Sequence, residues 1–231
     1  NEHNGYCVLT LNYNNDIHTM IDLSVLVTKG CNPSIETYFH LFLKKYVVHL
    51  HPTLINIYMC SDILLPNLDI PYIIIDYYKP GIQLSKEIFK KYNNESIIFL
   101  KNHGIIFTCD SFENIRKLIQ ICYAKFIGHK YNMFTDLLSY ECLIQNNRDK
   151  HILKVPEIYQ KQIQLPIIPY TPDIVIYLMH SIICNDNYYY IVSVSKYKCY
   201  QILEVLVSYL MLYKIKANKI LSSEEVTELI S

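Results

Sequence analysis

The residues most suggestive of chemistry are two histidines, His49 and His51, at the end of the apolar run KYVVHL (Lys45–Leu50) and just after it. The β-branched composition of this run predicts a strand. Side chains at positions i and i+2 of a strand lie on the same face, so both imidazoles can bind one metal ion. Because the chain contains nine histidines, such a pair also arises by chance. Alone it favours one core imidazole and one surface imidazole.

A third histidine, His103, strengthens the metal hypothesis. It lies between the strand predicted over Ser96–Leu100 and Gly104, where a side chain at a sheet edge can turn towards a cleft. Three neutral imidazoles that leave one coordination position open are typical of a catalytic zinc site, whereas structural zinc sites close with four ligands. Another divalent ion with affinity for imidazole is the alternative, because spacing does not distinguish between these metals.

Glu36 supplies a carboxylate shortly before the histidine pair. It lies near the start of the helix predicted over Ser34–Lys44, and a metal site of this kind uses a carboxylate for proton transfer. A carboxylate at a helix start is equally favoured by the helix dipole. The spacing therefore leaves both roles open for Glu36.

The elements that must position these residues alternate between strands and helices. Strands are predicted at Lys45–Leu50, Ile70–Tyr77, Ser96–Leu100 and Ile105–Cys109, and helices at Ser34–Lys44, Pro52–Ser61, from Pro80-Gly81 to about Tyr92, and after the cap Ser111. Such alternation predicts an α/β fold, with a central mixed or antiparallel sheet covered by helices.

The chain after about residue 146 has a different pattern. Asn146–Pro172 is polar and then rich in proline, which predicts a joint. The elements predicted after it are two strands that flank an Asn-Asp-Asn turn, Asp173–Met179 and Tyr188–Val194, a helix over Tyr197–Ala217, and a short helix capped by Ser222 or Ser223. We therefore expect a metal-binding core at residues 1–150, with a hairpin and helices at residues 151–231 packed on it.

Three sequence blocks, in this order, together resemble a known family. They are NPSIETYFH (Asn32–His40), YVVHLHP (Tyr46–Pro52) and LKNHGII (Leu100–Ile106). The chain resembles the class II aldolase/adducin family, which includes zinc-dependent aldolases of fuculose and rhamnulose phosphates, and it is most similar to the longer, rhamnulose-phosphate aldolase-like branch. The resemblance extends over about Asn32–Lys130 and implies a three-layer α/β/α core.

The resemblance implies a role for each matching residue. The implied roles are zinc binding for His49, His51 and His103, acid–base catalysis for Glu36, and binding of the substrate phosphate for Ser34. A serine at a helix start is also an ordinary helix cap, so this last role has a simpler alternative. His40 matches a position that we interpret as structural.

The implied activity is that of a zinc-dependent lyase, an aldolase acting on a ketose or ketose phosphate. Zinc acts there as a Lewis acid that stabilises an enediolate, and Glu36 transfers the proton. The same chemistry serves epimerases, dehydratases and decarboxylases of the family, which are alternatives. A non-catalytic, adducin-like interaction domain is the alternative from another class, and loss of the metal ligands would indicate it. All three histidines and the carboxylate are present here.

One feature of the resembled family has no counterpart in this chain. The family carries an early Gly-Asn-x-Ser phosphate loop, whereas Asn4-Gly5 has the reverse order. Either the loop lies upstream of Asn1, or the protein does not bind phosphorylated ketoses in the family's way.

Composition argues against several other classes. The formal net charge is zero, and there are only five glycines and no Gly-Lys-[Ser/Thr] phosphate loop, which argues against nucleic acid, anionic membranes and nucleotides as partners. Runs such as Ile202–Leu212 are shorter than the ~18–20 residues of a membrane span, and no signal peptide is evident. Eight cysteines without a C-x-x-C pair indicate reduced, buried thiols. We expect a cytoplasmic protein that binds a small sugar or sugar phosphate, and the resemblance adds a homo-oligomer.

Overall fold

The structure, a computed structural model, describes residues 7–9, 24, 27–127, 144–147 and 150–231. Asn4-Gly5 and Lys130, which were named above, lie outside these residues, as does Cys142, one of the eight cysteines. The described chain forms two compact units. Among its helices, none is both long enough and apolar enough to cross a membrane.

The described elements follow one another in the order predicted for the first half of the chain. The strands are β1 (Cys7–Leu9), β2 (Val27–Gly30), β3 (Tyr46–Leu50), β4 (Tyr72–Ile75), β5 (Ile97–Leu100), β6 (Gly104–Cys109), β7 (Ile144–Asn147), β8 (Lys150–Lys154), β9 (Ile182–Asn185) and β10 (Tyr188–Ser193). The α-helices are α1 (Thr53–Met59), α2 (Ile82–Lys91), α3 (Phe112–Ile127), α4 (Glu157–Gln160), α5 (Lys196–Lys214) and α6 (Ser223–Ile230), with a 3₁₀ helix at Thr37–Leu41 and a π-helix at Ile174–Leu178.

The first unit is built on a mixed sheet with the strand order β3-β6-β5-β4. β3 and β6 are antiparallel, with His49 opposite Ile106 and Leu50 opposite Ile105, whereas β4 and β5 are parallel. The apolar core beside this sheet consists of Phe39, Leu43, Ile75, Leu84, Ile88, Ile98, Leu100 and Ile106. The prediction of an α/β fold with a central mixed sheet and helices is therefore confirmed.

The helix predicted over Ser34–Lys44 is only a short 3₁₀ helix in the structure. Its Phe39 is buried, but Ile35, four residues earlier and thus on the same face of the predicted α-helix, is 63% exposed. The helix ends at Phe42 (φ −131°), and two residues later the backbone N–H of Lys44 donates to Thr108 Oγ1 at 2.9 Å. This bond to β6 ties the chain to the sheet, so the helical turn does not continue.

The second unit is built on an antiparallel sheet with the strand order β7-β8-β10-β9. β9 and β10 form a hairpin whose two turn residues, Asp186 and Asn187, have φ of 48° and 67°, as a two-residue type I′ turn requires. Helix α5 packs against β8, β10 and α1. Ser222 caps α6 in a capping box with Glu225, as the sequence predicts.

The prediction of a strand over Asp173–Met179 is wrong. Residues Ile174–Leu178 form a π-helix, in which the Met179 N–H donates to the Ile174 carbonyl at 3.0 Å. Ile174, Val175 and Leu178 are buried, and this helix packs against α5. A short apolar run cannot be assigned to strand or helix from periodicity alone, and the hairpin partner of β10 is instead β9. The region predicted as a joint contains β8 and α4.

The described cysteines only partly match the prediction of buried thiols. Cys60, Cys122 and Cys199 are buried, but Cys31 and Cys184 are exposed. Burial raises the pKa of Cys60 and of Cys122 to about 12. These two buried thiols are therefore protonated and unreactive at neutral pH.

Candidate metal centre

Glu36 and His49 form the first pair of the candidate centre. The Glu36 Oε1 lies 3.3 Å from Nε2 of His49, and the side chains are 20% and 10% exposed. The other ring nitrogen of His49, Nδ1, lies 3.0 Å from the carbonyl oxygen of Ile105. A carbonyl only accepts hydrogen bonds, so Nδ1 carries the proton and the electron pair of the neutral ring is on Nε2.

The backbone before Glu36 is held by local contacts. The Ser34 hydroxyl accepts the N–H of Glu36 at 3.2 Å, and the Ser34 carbonyl accepts the N–H of Thr37 at 3.0 Å. The start of α2 lies close by, because a Cβ added to Gly81 (φ +107°) would lie 3.4 Å from the carbonyl oxygen of Ile35. Ser34 is exposed, and its hydroxyl orients the backbone that carries the carboxylate.

His40 and Phe39 lie next to this pair. The His40 ring stacks on Phe39 with centroids 4.9 Å apart, and the edge of Phe39 meets the His49 ring at 5.5 Å. The pKa of His40 is lowered, first by desolvation of the ring and then by His49, whereas Glu36 acts in the opposite direction. The residue is nevertheless exposed as a whole. These contacts are consistent with the structural role predicted for His40.

His51 and His103 form a second pair. Their ring centroids are 4.7 Å apart, and Nδ1 of His51 lies 2.7 Å from Oδ2 of Asp173. Because an ionised carboxylate only accepts hydrogen bonds, this Nδ1 donates and the electron pair of the neutral ring is on Nε2. A metal-binding histidine generally donates its second ring N–H to a carboxylate or a carbonyl. His51 and His49 both meet that description.

The turn that carries His103 is fixed by its neighbour Asn102. Asn102 adopts the left-handed conformation (φ 54°), which asparagine tolerates better than most residues. Its side-chain amide donates to the carbonyl oxygens of Tyr170 at 2.9 Å and Lys219 at 2.8 Å. The carbonyl of His103 in turn accepts the side-chain amide of Asn56 at 3.2 Å. His103 is thus buried (3% exposed) on an anchored turn.

The four predicted residues together form a group that could hold a metal ion. Glu36, His49, His51 and His103 each offer one ligand atom, and these atoms all lie within 4.8 Å of one another. Two ligand atoms at about 2 Å from one tetrahedral ion are about 3.3 Å apart, so a pair separated by 4.8 Å has to close by about 1.5 Å. Imidazole nitrogens and a carboxylate oxygen suit zinc and related divalent ions. The residues present therefore fit a divalent cation.

His51 and Asp173 also line a cavity of about 970 Å³. The other lining side chains come from the start of α1, from α3, from the π-helix and from α5, and they include Thr53, Asn56, Tyr177, Gln201 and Glu204. Among the described residues that line it, none is lysine or arginine. The cavity is thus lined by hydroxyl, amide and carboxylate groups together with apolar surface.

Sequence reasoning missed two residues of this centre, Asp173 and Asn102. Asp173 lies 122 positions from His51 in a segment that was assigned to a strand, and no local signal marked it. Asn102 had a weak signal, because an asparagine at a turn that ends in glycine is a common left-handed residue. Its two long-range hydrogen bonds could not be predicted from any local sequence pattern.

Comparisons with known proteins identify the family of this chain. The family described as "Class II Aldolase and Adducin N-terminal domain" matches residues 5–122. A 3-oxo-tetronate 4-phosphate decarboxylase of Haemophilus influenzae is 29% identical to this chain, and the alignment covers 51% of this chain and 68% of that protein.

One solved structure is similar as well. It is the N-terminal class II aldolase domain of a conserved protein from Thermoplasma acidophilum, with a TM-score of 0.42 and 22% identity. The similarity covers 50% of this chain and 60% of that one, so this chain spans less than two thirds of that relative. The family match takes in half of the chain and includes Glu36, His49, His51 and His103. This chain belongs to the class II aldolase and adducin family.

Proposed function

We propose that this protein is a metal-dependent lyase that breaks a carbon–carbon bond next to a carbonyl group in a small hydroxylated substrate. The observation that supports this most directly is the group of three imidazoles and one carboxylate with ligand atoms within 4.8 Å. Zinc is the metal we propose, because three neutral imidazoles with an open position are typical of catalytic zinc. A divalent cation, when bound, supplies Lewis-acid stabilisation of the negative charge that bond cleavage leaves on oxygen.

The residues of the chain then have separate tasks. His49, His51 and His103 hold the cation, and the first two are oriented by acceptors at their Nδ1 atoms. The Glu36 carboxylate transfers a proton to or from the substrate, because its oxygen lies beside the same group of ligand atoms. The cavity beside His51 receives the part of the substrate that does not react, as concave sites near a catalytic centre commonly do.

Two reactions fit this arrangement, decarboxylation of a 3-oxo acid and aldol cleavage of a ketose. Both break a bond to the carbon beside a carbonyl, and both leave the same kind of charge to be stabilised. The name of the Haemophilus influenzae relative, a 3-oxo-tetronate 4-phosphate decarboxylase, supports decarboxylation as the first reaction to test. The zinc aldolases that the sequence resembles support aldol cleavage as the second.

The experiment assays purified protein with added zinc for CO₂ release from 3-oxo-tetronate 4-phosphate, and for aldehyde release from rhamnulose and fuculose and their 1-phosphates. Turnover of either class that is lost in His51→Ala and kept in His180→Ala would support the proposal, because His180 is exposed and outside the metal group. Zinc binding without turnover of any of these substrates would contradict it. That result would favour the non-catalytic, adducin-like alternative.

A further inference from the structure

We propose that Asp173 is a positioning residue of the candidate metal centre, which accepts the Nδ1 proton of His51 and so presents Nε2 to the cation. The inference rests on the proposed function only in requiring that His51 bind a metal. Nothing in the family match assigns this residue, because Asp173 lies beyond residues 5–122. It makes the C-terminal part of the chain a component of the centre.

The contact itself is the first support. The separation of 2.7 Å between His51 Nδ1 and Asp173 Oδ2 is that of a strong hydrogen bond between a ring N–H and a carboxylate. The two side chains are 26% and 28% exposed, so the pair is only partly accessible to water. A neutral imidazole carries one proton, and the carboxylate holds that proton on Nδ1.

The segment of the chain that carries Asp173 is well packed. Asp173 immediately precedes the π-helix at Ile174–Leu178, whose first N–H donates to the hydroxyl of Thr171 at 3.4 Å. Thr171, Ile174 and Val175 are each at most 4% exposed. The carboxylate is therefore carried by a packed segment, and such second-layer support is what holds a ligand in a productive orientation.

The partners of the two neighbouring histidines differ in charge. His49 donates to the neutral carbonyl of Ile105, whereas His51 donates to a carboxylate. A carboxylate partner makes the imidazole a stronger electron-pair donor, and loss of such a partner typically weakens metal binding about 10–100-fold. We therefore expect His51 to depend on its partner more than His49 does.

The test measures zinc affinity, by competition with a chromophoric chelator, for the wild-type chain, Asp173→Ala, Asp173→Asn and Asp173→Glu. We expect Asp173→Ala to bind zinc about 10–100-fold more weakly, Asp173→Asn to lie between it and the wild type, and Asp173→Glu to recover part of the loss. Asp76→Ala is the matched control, because Asp76 is an exposed aspartate that pairs with Lys91 at 3.8 Å and is outside the metal group. It should bind zinc like the wild type.

A second readout separates positioning from a general structural role. In the metal-free protein, ¹⁵N NMR of the imidazoles should show His51 protonated at Nδ1, and Asp173→Ala should shift the proton towards Nε2. Thermal unfolding of the metal-free variants identifies any loss of fold. Unchanged zinc affinity in Asp173→Ala, or weakened affinity without a change of tautomer, would overturn the inference. If zinc affinity depends on Asp173 but no substrate is turned over, the proposed function fails and this inference stands.

Discussion

The carboxylate of Glu36 and Nε2 of His49 lie 3.3 Å apart, and the second nitrogen of that ring is engaged by the carbonyl of Ile105. Two groups that both carry electron pairs are thus brought together, and a proton or a metal ion between or beside them relieves their repulsion. The Glu36 carboxylate therefore lies beside the atom of His49 that is proposed to bind the cation.

Replacing Glu36 by glutamine should keep the fold and the metal while lowering turnover about 10²–10⁴-fold, the range expected for loss of a general acid–base. Steady-state kinetics and metal analysis of Glu36→Gln check this. Glu228→Gln, an exposed change on α6, is the control that should leave both unchanged. Wild-type turnover in Glu36→Gln would reassign Glu36 to a local role at the start of the 3₁₀ helix.

Replacing Asn102 by alanine should destabilise the protein by about 1–3 kcal/mol, because the carbonyl oxygens of Tyr170 and Lys219 each lose a hydrogen-bond donor. The change should also weaken zinc binding, since the same bonds hold the turn before His103. Denaturant unfolding and zinc titration measure the two effects. Asn187→Ala is the matched control for Asn102→Ala, because Asn187 has a similar positive φ (67°) but is exposed in the β9–β10 turn. Equal losses in the two variants would mean that the backbone conformation, and not the amide, determines the effect.

A terminal phosphate should contribute little to catalysis by this chain. The described residues that line the cavity beside His51 include no lysine or arginine. Remote binding energy from a phosphate therefore lacks a cationic partner there. We expect kcat/KM for fuculose and rhamnulose to lie within about tenfold of the values for their 1-phosphates. A preference for the phosphates above about a hundredfold, or 2.7 kcal/mol, would reveal a phosphate site elsewhere.

We also predict a symmetric homo-oligomer, because the family that the sequence resembles forms its sites at subunit boundaries and closed cyclic symmetry is the common outcome. Light scattering at micromolar concentration measures this directly. A monomer under these conditions would contradict the prediction. It would also mean that any activity observed is complete within one chain.

Features that depend on residues close together in the sequence could be predicted, whereas features that depend on residues far apart in the sequence could not. Strands β3 and β6 and helices α2 and α5 follow from local patterns of apolar residues, and each was predicted close to its observed range. His49 lies on β3 and His51 directly follows this strand, and the short spacing between them was enough to predict that both belong to one group. The prediction at Asp173–Met179 failed because the short apolar run fits both a strand and a packed helix.

The residues that hold the metal group in place could not be predicted from the sequence. The contact of Asp173 with His51 and the anchoring of Asn102 by Tyr170 and Lys219 each join residues more than 60 positions apart. No periodicity or spacing encodes such contacts, because they arise only when the C-terminal segment packs. The resemblance to the family therefore located the predicted ligands but could not locate the residues that hold them. The roles of Ser34, Glu36 and the three histidines stay predictions until they are measured.

The most direct test of the account is the metal content of the purified protein. We expect about one equivalent of a divalent metal per chain, most of it zinc, measured by inductively coupled plasma mass spectrometry after gel filtration. His49→Ala, His51→Ala and His103→Ala should each lose it, whereas His180→Ala should retain it. A wild-type protein that neither carries nor takes up a divalent metal, or three histidine variants that bind zinc like the wild type, would contradict the account.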